Sequence, residues 1–511
     1  MNSWNEGYFT DSTYTYGYYR ELSPNFMRWC LLVNGIAAPE INKDSCHCEL
    51  GFGQGLSANI HAAATPGKFF GTDFNPAHAA QAKELAEASG ADAHFFEDSF
   101  EEFAERNDLP QFDSIGFHGV WTWVSAENRR HMLEVARQHL KSGGMVYNSY
   151  NCLPGWSPAA PLRELLALYD KNFHGNGNTK ERVQSALKFV EEMIAAEPAY
   201  LKLAANFKST FENLKKQNAD YIAHEYLNLD WDLMYFTDVA ELSQEAKLEF
   251  ATIAMPIEGE SFHLPQNAQN FLGKIDNPIV REQMQDYFIN RQFRKDIYVR
   301  GLRRLPFAET KEKILSTRYI LTTPAAEVPL TFSTTLGILK LSEKTYHPLI
   351  EYLAEDNFRP KDLLRYSVRR ENEIGMIVET IRALILMNHV MPCQNDAAIE
   401  HVKESCERLN AHICERSKFD EAINFLASPL TGCGVNVTRF QQLFLAQYKS
   451  GVKTTDKLAD KVWEILKRQG QTILFNGKAL EKPEDNVEHL KNLAERFLTR
   501  DLPIYKALLL I

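Results

Sequence analysis

Apolar residues in the first third of the chain form short runs, separated by stretches with the apolar spacing of amphipathic helices. The short runs predict buried strands, and each helix is predicted to connect one strand to the next. This alternation predicts an α/β fold with a parallel, doubly wound sheet that binds ligands at the carboxyl ends of its strands. The predicted strands are 46–50, 68–74, 93–97, 112–118 and 145–150, and the predicted helices include 56–64, 76–89 and 125–140, the last ended by Gly143 and Gly144.

After residue 158 the pattern changes to helices alone, interrupted by a polar, glycine-rich break at 174–178. A further helix and two strands then complete a seven-stranded, Rossmann-like sheet, the last strand antiparallel. The predicted catalytic domain is therefore discontinuous, 1–158 and 235–301, with a helical insertion at 159–234 over the mouth of the sheet. The elements predicted after residue 158 are helices at 162–172, 180–196, 199–217 and 238–247, and strands at 248–254 and 293–300.

The last 210 residues alternate helices with short strands, such as 318–321 and 472–475. Asn476 and Gly477 form a dipeptide typical of a two-residue hairpin turn. We expect smaller mixed α/β domains here, a middle one at 302–400 and a helical, winged-helix-like one at 401–511. Their expected role is interaction, assembly or substrate presentation.

A glycine-rich turn follows the first predicted strand, with an acid and three glycines at Glu49, Gly51, Gly53 and Gly55. Glycine lets the backbone turn sharply and approach a ligand without an intervening side chain. The dinucleotide fingerprint G-x-G-x-x-G is one residue longer in its second half. The acid-led version resembles the first motif of class I S-adenosylmethionine (SAM) methyltransferases, whose ligand has an amino-acid tail and no phosphate. An ordinary tight turn between strand and helix is the alternative.

Several polar residues end the other predicted strands and should meet at the same edge. Asp73 lies 22 residues beyond Gly51, where a carboxylate typically binds ribose hydroxyls. By the same resemblance, Asp98 and Ser99 flank the adenine, and Ser99 also begins a capping box with Glu102. His118 contacts the adenine or the acceptor, or is a structural histidine.

Composition is that of a globular protein: 511 residues, 44% of them hydrophobic, with apolar runs too short for a membrane span. The first ten residues lack the features of a signal peptide, and eight cysteines have no regular spacing. We therefore expect a cytoplasmic protein with reduced thiols. No metal site is expected, because alternation along the strand places His47 on the face opposite Cys46 and Cys48.

The net charge of −11 argues against a nucleic-acid partner, which needs clustered Lys and Arg. Residues 1–158 hold 10 Lys and Arg against 19 Asp and Glu. An acidic catalytic region would steer a cationic substrate towards it. An ordinary solvated surface would have the same composition.

Taken together, five segments resemble the bacterial methyltransferases that carry a methyltransferase regulatory domain, a group that includes the lysine methyltransferases of rickettsial outer-membrane protein B. The resemblance implies SAM as cofactor, S-adenosylhomocysteine as product and a protein side chain, lysine, as acceptor. It also suggests a cell-surface or outer-membrane protein, methylated before export, as partner. Helical insertions at this edge of the sheet commonly form lids or dimer contacts, so a homodimer through the insertion is a further expectation. Phe52 departs from the family, in which Cys is common. The segments are YTYGYYRELSP (14–24), ELGFGQG (49–55), HGVWTWVS (118–125), VYNSYNCLPGW (146–156) and HEYLN (224–228).

Methylation of lysine favours an aromatic mouth, because aromatic side chains disfavour a charged amine and bind methylated ammonium by cation–π contacts. Tyr16 and Arg20 are expected at the cofactor, Arg20 on its carboxylate. His224 and Glu225 either reach the acceptor or form a pair on a helix surface. Ordinary packing is the alternative for each aromatic. Those predicted at the catalytic mouth are Tyr14, Trp121, Trp123 and Tyr150, with Trp156 beside them.

Three functions agree with these observations. The favoured one is SAM-dependent methylation of a protein at lysine by in-line displacement. The second has the same chemistry with a small-molecule or lipid-precursor acceptor, and the third is a regulatory protein that binds SAM without turnover.

Overall fold

The computed structural model describes residues 16–173, 177–204, 206–228, 230–255, 264–334, 336–368, 370 and 373–511. Its central element is a seven-stranded sheet with the order β3-β2-β1-β4-β5-β7-β6. Strands β1 to β5 are parallel, and β7 pairs antiparallel with both β5 and β6. The strands are β1 Cys46–Leu50, β2 Lys68–Thr72, β3 Ala93–Phe96, β4 Phe112–His118, β5 Leu140–Asn151, β6 Leu248–Ile253 and β7 Phe293–Arg300.

This order confirms the predicted seven-stranded α/β sheet, including its interruption by the insertion. The chain reverses its direction of progress across the sheet between β1 and β4, and parallel α/β sheets bind ligands at such a switch point. One boundary was wrong: β5 starts at Leu140, whereas Gly143 and Gly144 were predicted to end the preceding helix. Gly143 instead has a left-handed φ of 81° inside the strand, where the pairing register with β4 shifts.

Helices cover both faces of the sheet. On one face the apolar core includes Leu56 and Ile60 of α2 with Met145 and Tyr147 of β5. On the other face, Val146 of β5 packs in the core that includes α4, α5 and α10. The helices that precede and follow the strands are α1 Pro24–Val33, α2 Leu56–Ala64, α3 Pro76–Ser89, α4 Phe100–Ala104, α5 Ala126–His139, α10 Phe236–Glu245, α11 Gln266–Leu272 and α12 Pro278–Ile289.

The insertion is helical, as predicted, and has its own apolar core that includes Leu162, Val183 and Phe211. The single helix expected at 199–217 is wrong. A short 3-10 turn, Ala199–Lys202, precedes a separate helix, because Phe207 is buried while Leu203 is 90% exposed and breaks the apolar stripe. The helices are α6 Ala160–Phe173, α7 Thr179–Ala195, α8 Phe207–Leu214 and α9 Ala219–Tyr226.

Within its described residues, the C-terminal region has helices and four two-stranded antiparallel sheets, β8 with β11, β9 with β10, β12 with β13 and β14 with β15. Asn476 and Gly477 have φ angles of 49° and 77° between β14 and β15, which confirms the predicted hairpin turn. The elements are α13 Phe307–Ser316, β8 Tyr319–Leu321, β9 Thr331–Thr334, β10 Gly337–Lys340, α14 Glu343–Phe358, α15 Leu364–Ser367, α16 Ile374–Leu386, β11 Val390–Pro392, α17 Asp396–Arg416, β12 Phe425–Ser428, β13 Cys433–Asn436, α18 Arg439–Lys449, α19 Thr455–Arg468, β14 Leu474–Phe475, β15 Lys478–Ala479, α20 Pro483–Arg496 and α21 Leu502–Ala507.

This region packs on the helices that cover one face of the seven-stranded sheet. Helix α17 contacts α2 and α3, and Ser405 donates a hydrogen bond of 2.7 Å to the carbonyl of Ala63. Gln394 donates one of 2.8 Å to the carbonyl of Ala64. One apolar core runs from α1 and α2 into the helices beyond residue 302, so the C-terminal region completes one face of the sheet.

None of the helices in the described part of the chain has the length and apolarity needed to cross a membrane.

Candidate active site

A cavity of about 280 Å³ lies at the carboxyl ends of β1 to β4, the edge predicted to bind the ligand. The glycine turn, the strand ends and the insertion all border it. Among the described residues, those predicted from sequence for the cofactor that line it are Glu49, Gly51, Gly53, Gly55, Asp73, Asp98, Ser99 and His118.

The three glycines of the turn all have left-handed φ angles between 58° and 72°, which side chains rarely adopt. They differ in what surrounds them. A Cβ on Gly55 would lie 2.5 Å from the Cβ of Ala82 in α3, so this glycine allows two helices to pack closely. A Cβ on Gly53 would meet nothing within 4 Å, so bare backbone faces the open space of the cavity at that point.

Asp73 connects the glycine turn to the end of β2. Its Oδ2 accepts a hydrogen bond of 2.8 Å from the backbone N–H of Gly53. Its Oδ1 lies 3.0 Å from Nδ1 of His78 and 3.1 Å from the backbone N–H of Asn75. A carboxylate has about four lone-pair sites, so Asp73 can hold the turn and still accept from a ligand hydroxyl.

The end of β3 is shaped by the capping box of α4, as predicted. Glu102 accepts from the backbone N–H of Ser99 at 2.8 Å, and Ser99 Oγ accepts from that of Glu102 at 3.2 Å. Asp98, one residue earlier, pairs with Arg106 at 3.0 Å. These contacts fix the position of a polar turn at the edge of the cavity.

Glu49 and His118 are titratable groups with strongly shifted pKa values. Burial, with the nearby negative charge of Asp73, raises the pKa of Glu49 to about 8, so this carboxyl is largely protonated at neutral pH. Burial lowers the pKa of His118 to about 3, so its ring is neutral. The ring stacks on Tyr19 at a centroid distance of 3.6 Å, and Nδ1 lies 2.9 Å from the hydroxyl of Tyr147.

Of the aromatics expected at the mouth, Trp123 lines the cavity. Trp121 and Tyr150 do not, and that expectation needs correction. Trp121 is 1% exposed and packs on Phe117, while the buried hydroxyl of Tyr150 donates to Asp296 at 2.7 Å. Both side chains belong to the apolar core between the sheet and its helices.

Trp156 packs in the insertion, 6.4 Å from the ring of Tyr226, and does not border the cavity. The prediction for Tyr14 lies outside the described residues.

Tyr16 and Arg20 also face away from the cavity, towards the C-terminal region. The hydroxyl of Tyr16 accepts from Arg416 at 3.0 Å, and Arg20 donates to the carbonyl of Ile385 at 2.8 Å. The intervening residues Gly17 and Tyr19 line the cavity instead. Successive side chains of an extended segment point in opposite directions, so the even positions contact the C-terminal region and the odd ones the cavity.

Several cavity residues were not predicted. Asn151 directly follows the predicted fifth strand, a position that could have signalled it, whereas Asn128 and Phe293 lack any sequence motif. His224 and Glu225, which were expected either to reach the acceptor or to form a pair on a helix surface, border the cavity together with Asn228 and Asp230 of the insertion.

The cavity lining is rich in acidic residues. Among the described residues that line it there is no Lys or Arg. Such a lining attracts cations and disfavours phosphates or carboxylate-rich ligands. Its carboxyl groups are Glu49, Asp73, Asp98, Glu225 and Asp230.

The strand order, the glycine turn and the acidic strand ends define a class I SAM-dependent methyltransferase, with SAM as its cofactor. The chain matches the family model of a methyltransferase domain over residues 48–144. It matches that of a predicted methyltransferase regulatory domain over residues 218–300.

Whole-chain comparisons extend this result. The uncharacterized protein sll1526 of Synechocystis is 36% identical over 505 residues, 98% of each chain, and our chain belongs to the same family. An uncharacterized protein of Rickettsia prowazekii, RP789, is 26% identical over 265 residues, 51% of our chain and 46% of that protein. The structure of PKMT2 from Rickettsia typhi in complex with AdoHcy has a TM-score of 0.68 at 17% identity, covering 96% of our chain and 99% of that chain, which shows a shared fold.

Proposed function

We propose that this protein transfers the methyl group of SAM to the side-chain amine of lysine in a protein substrate. The observation that carries the proposal is the composition of the cavity lining: five carboxyl groups, which a bound cation keeps ionised or ionises, and, among the described lining residues, no Lys or Arg. Both partners in the reaction, a sulfonium and an amine that arrives protonated, are cations. The resemblance to lysine methyltransferases of rickettsial outer-membrane protein B supports the same acceptor.

The cavity residues fit SAM on structural grounds. At Gly53 a Cβ would project into open space, so a ligand can lie directly against the backbone there. We assign Glu49 to the cationic tail of SAM, Asp73 to its ribose hydroxyls, and Asp98 with Ser99 to the adenine. When bound, SAM supplies a methyl group on a positively charged sulfur, which an amine can displace in line.

The chain's own residues have two tasks, alignment and preparation of the amine. Alignment comes from the turn and strand ends, which Asp73 and the capping box hold in place. Preparation requires loss of a proton, since only about one lysine in several thousand is neutral at pH 7. Burial beside Trp123, Tyr19 and Phe293 disfavours the charged amine and excludes water.

The proposed partner is a protein destined for the cell surface or outer membrane, methylated in the cytoplasm before export. We also propose a homodimer formed through the insertion. Large apolar side chains exposed there support this, since such surfaces mark interaction sites. They include Leu168, Phe173, Leu203 and Tyr221.

Radiolabelled SAM tests the proposal directly. The purified protein is incubated with methyl-labelled SAM and bacterial lysate, and labelled protein is hydrolysed and analysed for methylated amino acids. We expect ε-N-methylated lysine, and no label with a Gly53→Val variant. Label in solvent-extractable material would favour a small-molecule acceptor, and tight SAM binding without transfer would favour a regulatory protein.

A further inference from the structure

The insertion provides its own group of cavity-lining residues, His224, Glu225, Asn228 and Asp230, which we call the insertion wall. Two belong to α9, and two follow its end. The glycine turn and the strand ends are assigned to SAM, and Trp123, Tyr19 and Phe293 are the aromatic side chains that we place around the acceptor amine. The insertion wall therefore provides polar groups on the acceptor side of the cavity.

Packing and hydrogen bonds hold the insertion wall in place. The buried side of α9, including Ile222 and Ala223, lies in the core of the insertion. At its C-terminal end, Asn228 donates to the carbonyl of His224 at 2.6 Å. The guanidinium of the buried Arg163 donates to the carbonyl of Asn228 and lies 4.9 Å from the ring centre of Trp231.

Two further contacts join this segment to the catalytic domain. The backbone N–H of Asp232 donates to the carbonyl of Thr122 at 2.9 Å. The carboxylate of Asp232 accepts from Arg129 at 2.5 Å. A side chain of the insertion wall is thus held at a defined position relative to the strand edge.

The carboxyl groups of the cavity differ in their partners. Asp73 binds the glycine turn and His78, and Asp98 pairs with Arg106. Asp230 feels the positive charge of Arg163. Glu49 and Glu225 have neither an ion pair nor a side-chain hydrogen bond within the described part of the chain, and Glu49 is the one that we assign to SAM. A partly buried carboxyl group without a partner is ready to bind a cationic ligand.

We propose, on the basis of the proposed function, that Glu225 binds the ammonium of the acceptor lysine and accepts one of its protons. An N–H bond of lysine Nζ breaks, and the proton moves to an Oε atom of Glu225. The freed lone pair forms the N–C bond to the methyl group as the C–S bond breaks, and that electron pair stays on sulfur. The positive charge of the sulfonium ends on the methylated nitrogen, and the sulfur becomes a neutral thioether.

The environment of Glu225 suits this role. Burial raises its pKa to about 7. An ordinary glutamate, with a pKa of about 4.3, differs from lysine by about 6 units, whereas Glu225 differs by about 3.4. Proton transfer from lysine is therefore about 500-fold less unfavourable than to an ordinary glutamate. The same burial also favours the neutral amine once it has formed.

This role changes the meaning of the region that matches a regulatory domain. That match begins at residue 218, immediately before α9. Because Glu225 lies in the matched region, part of that region belongs to the proposed acceptor site and takes part in the reaction.

Binding to the full chain saturated with S-adenosylhomocysteine tests the inference without turnover. The probes are N-acetyl-lysine amide and the uncharged N-acetyl-norleucine amide, compared by titration calorimetry. The variant is Glu225→Gln, and the matched control is Asp220→Asn, which removes an exposed carboxylate from the same helix. Glu225→Asp provides a conservative replacement.

The wild type and Asp220→Asn should bind the lysine probe about 10- to 100-fold more tightly than the norleucine probe, as expected for a charge-assisted hydrogen bond. Glu225→Gln should lose this preference, Glu225→Asp should retain part of it, and S-adenosylhomocysteine affinity should be unchanged in all. A preference that persists in Glu225→Gln, or is absent from the wild type, would overturn the inference. So would weaker S-adenosylhomocysteine binding by Glu225→Gln, since it would place this carboxyl at the cofactor.

If the proposed function is wrong but the inference about Glu225 is right, the two assays give a different combination of results. The lysine preference would be present and dependent on Glu225, yet the labelled-methyl assay would show no methylated lysine. In that case the acceptor amine would belong to another molecule, and Glu225 would keep its role in binding it.

Discussion

Proton release on SAM binding is a quantitative consequence of the buried position of Glu49. Burial raises the pKa of this carboxyl to about 8, so only about one molecule in ten is ionised at pH 7. A sulfonium and an ammonium beside it favour the ionised form and lower the pKa. Binding of SAM at pH 7 should therefore release close to one proton, about 0.9 if Glu49 becomes fully ionised.

The same pKa sets the size of the effect on affinity. The ionised fraction of Glu49 in the free protein rises from about 1% at pH 6 to about 90% at pH 9. If only the ionised form binds SAM well, the Glu49 contribution tightens Kd by up to about 90-fold over this range, or about 2.7 kcal/mol. Incomplete ionisation in the complex gives a smaller change with the same sign.

Titration calorimetry at pH 7 in two buffers of different ionisation enthalpy measures the protons released. Glu49→Gln should eliminate the release, and so should titration of the wild type with methylthioadenosine, a neutral ligand without the amino-acid tail. Glu225→Gln tests the other cavity carboxyl with a raised pKa and should change the release only slightly. Equal proton release by wild type and Glu49→Gln would refute the assignment of Glu49 to the cationic tail.

The other predictions concern stability and the glycine turn. The pKa of Glu49 in the folded protein exceeds its unfolded value of about 4.3, so the contribution of Glu49 to the free energy of unfolding is lost as the pH rises towards and through 8. Glu49→Gln should therefore flatten the fall in Tm between pH 5 and 9. Gly53→Ala should lower the free energy of unfolding by about 1–2 kcal/mol and weaken SAM binding at least about tenfold. Gly55→Ala should lower the free energy of unfolding by about 2–5 kcal/mol, because its Cβ meets α3. Arg294→Met should lower the free energy of unfolding by about 3–5 kcal/mol, seen as a lower Tm by calorimetry, because it leaves the buried Asp296 without its cation and Asp286 with Arg291 alone.

Matched controls separate these effects from general damage. Arg281→Met makes the same change on the exposed side of α12 and should cost less than about 1 kcal/mol. Equal losses at positions 281 and 294 would mean that the buried network does not stabilise the fold. For the glycine turn, a Gly53→Ala protein that binds SAM normally would show that the cradle lies elsewhere.

Local sequence predicted much of the catalytic half. Apolar runs and their breaks located all seven strands of the sheet, and the limits of α2 and α3 were predicted at the residue level. The capping box at Ser99 was also predicted correctly. These features depend on neighbours within a few residues, where side-chain periodicity and backbone preferences suffice.

The same reasoning brought the strand-end residues together. The carboxyl ends of parallel strands share an edge of the sheet, independently of how the rest of the chain packs. For this reason one cavity is bordered by Glu49, Asp73, Asp98 and His118. For these positions, knowing the strand and its direction was enough.

Tertiary structure alone decided which aromatic and cationic side chains reach the cavity. Tyr16 and Arg20 point to the C-terminal region, while Tyr19 points to the cavity, because an extended segment lies between two partners distant in sequence. Trp121 and Tyr150 fill the core for the same kind of reason. Periodicity shows that a segment has two faces, but which partner covers each face depends on long-range packing.

The contribution of the insertion to the acceptor side was likewise a matter of tertiary structure. In the sequence, Glu225 lies 176 residues from Glu49, on a helix whose pattern favours a surface pair. The packing of α9 and the contacts of the following segment bring both carboxyls to one cavity. Local chemistry thus determined the strand edge that we assign to the cofactor, and long-range contacts determined what faces the acceptor.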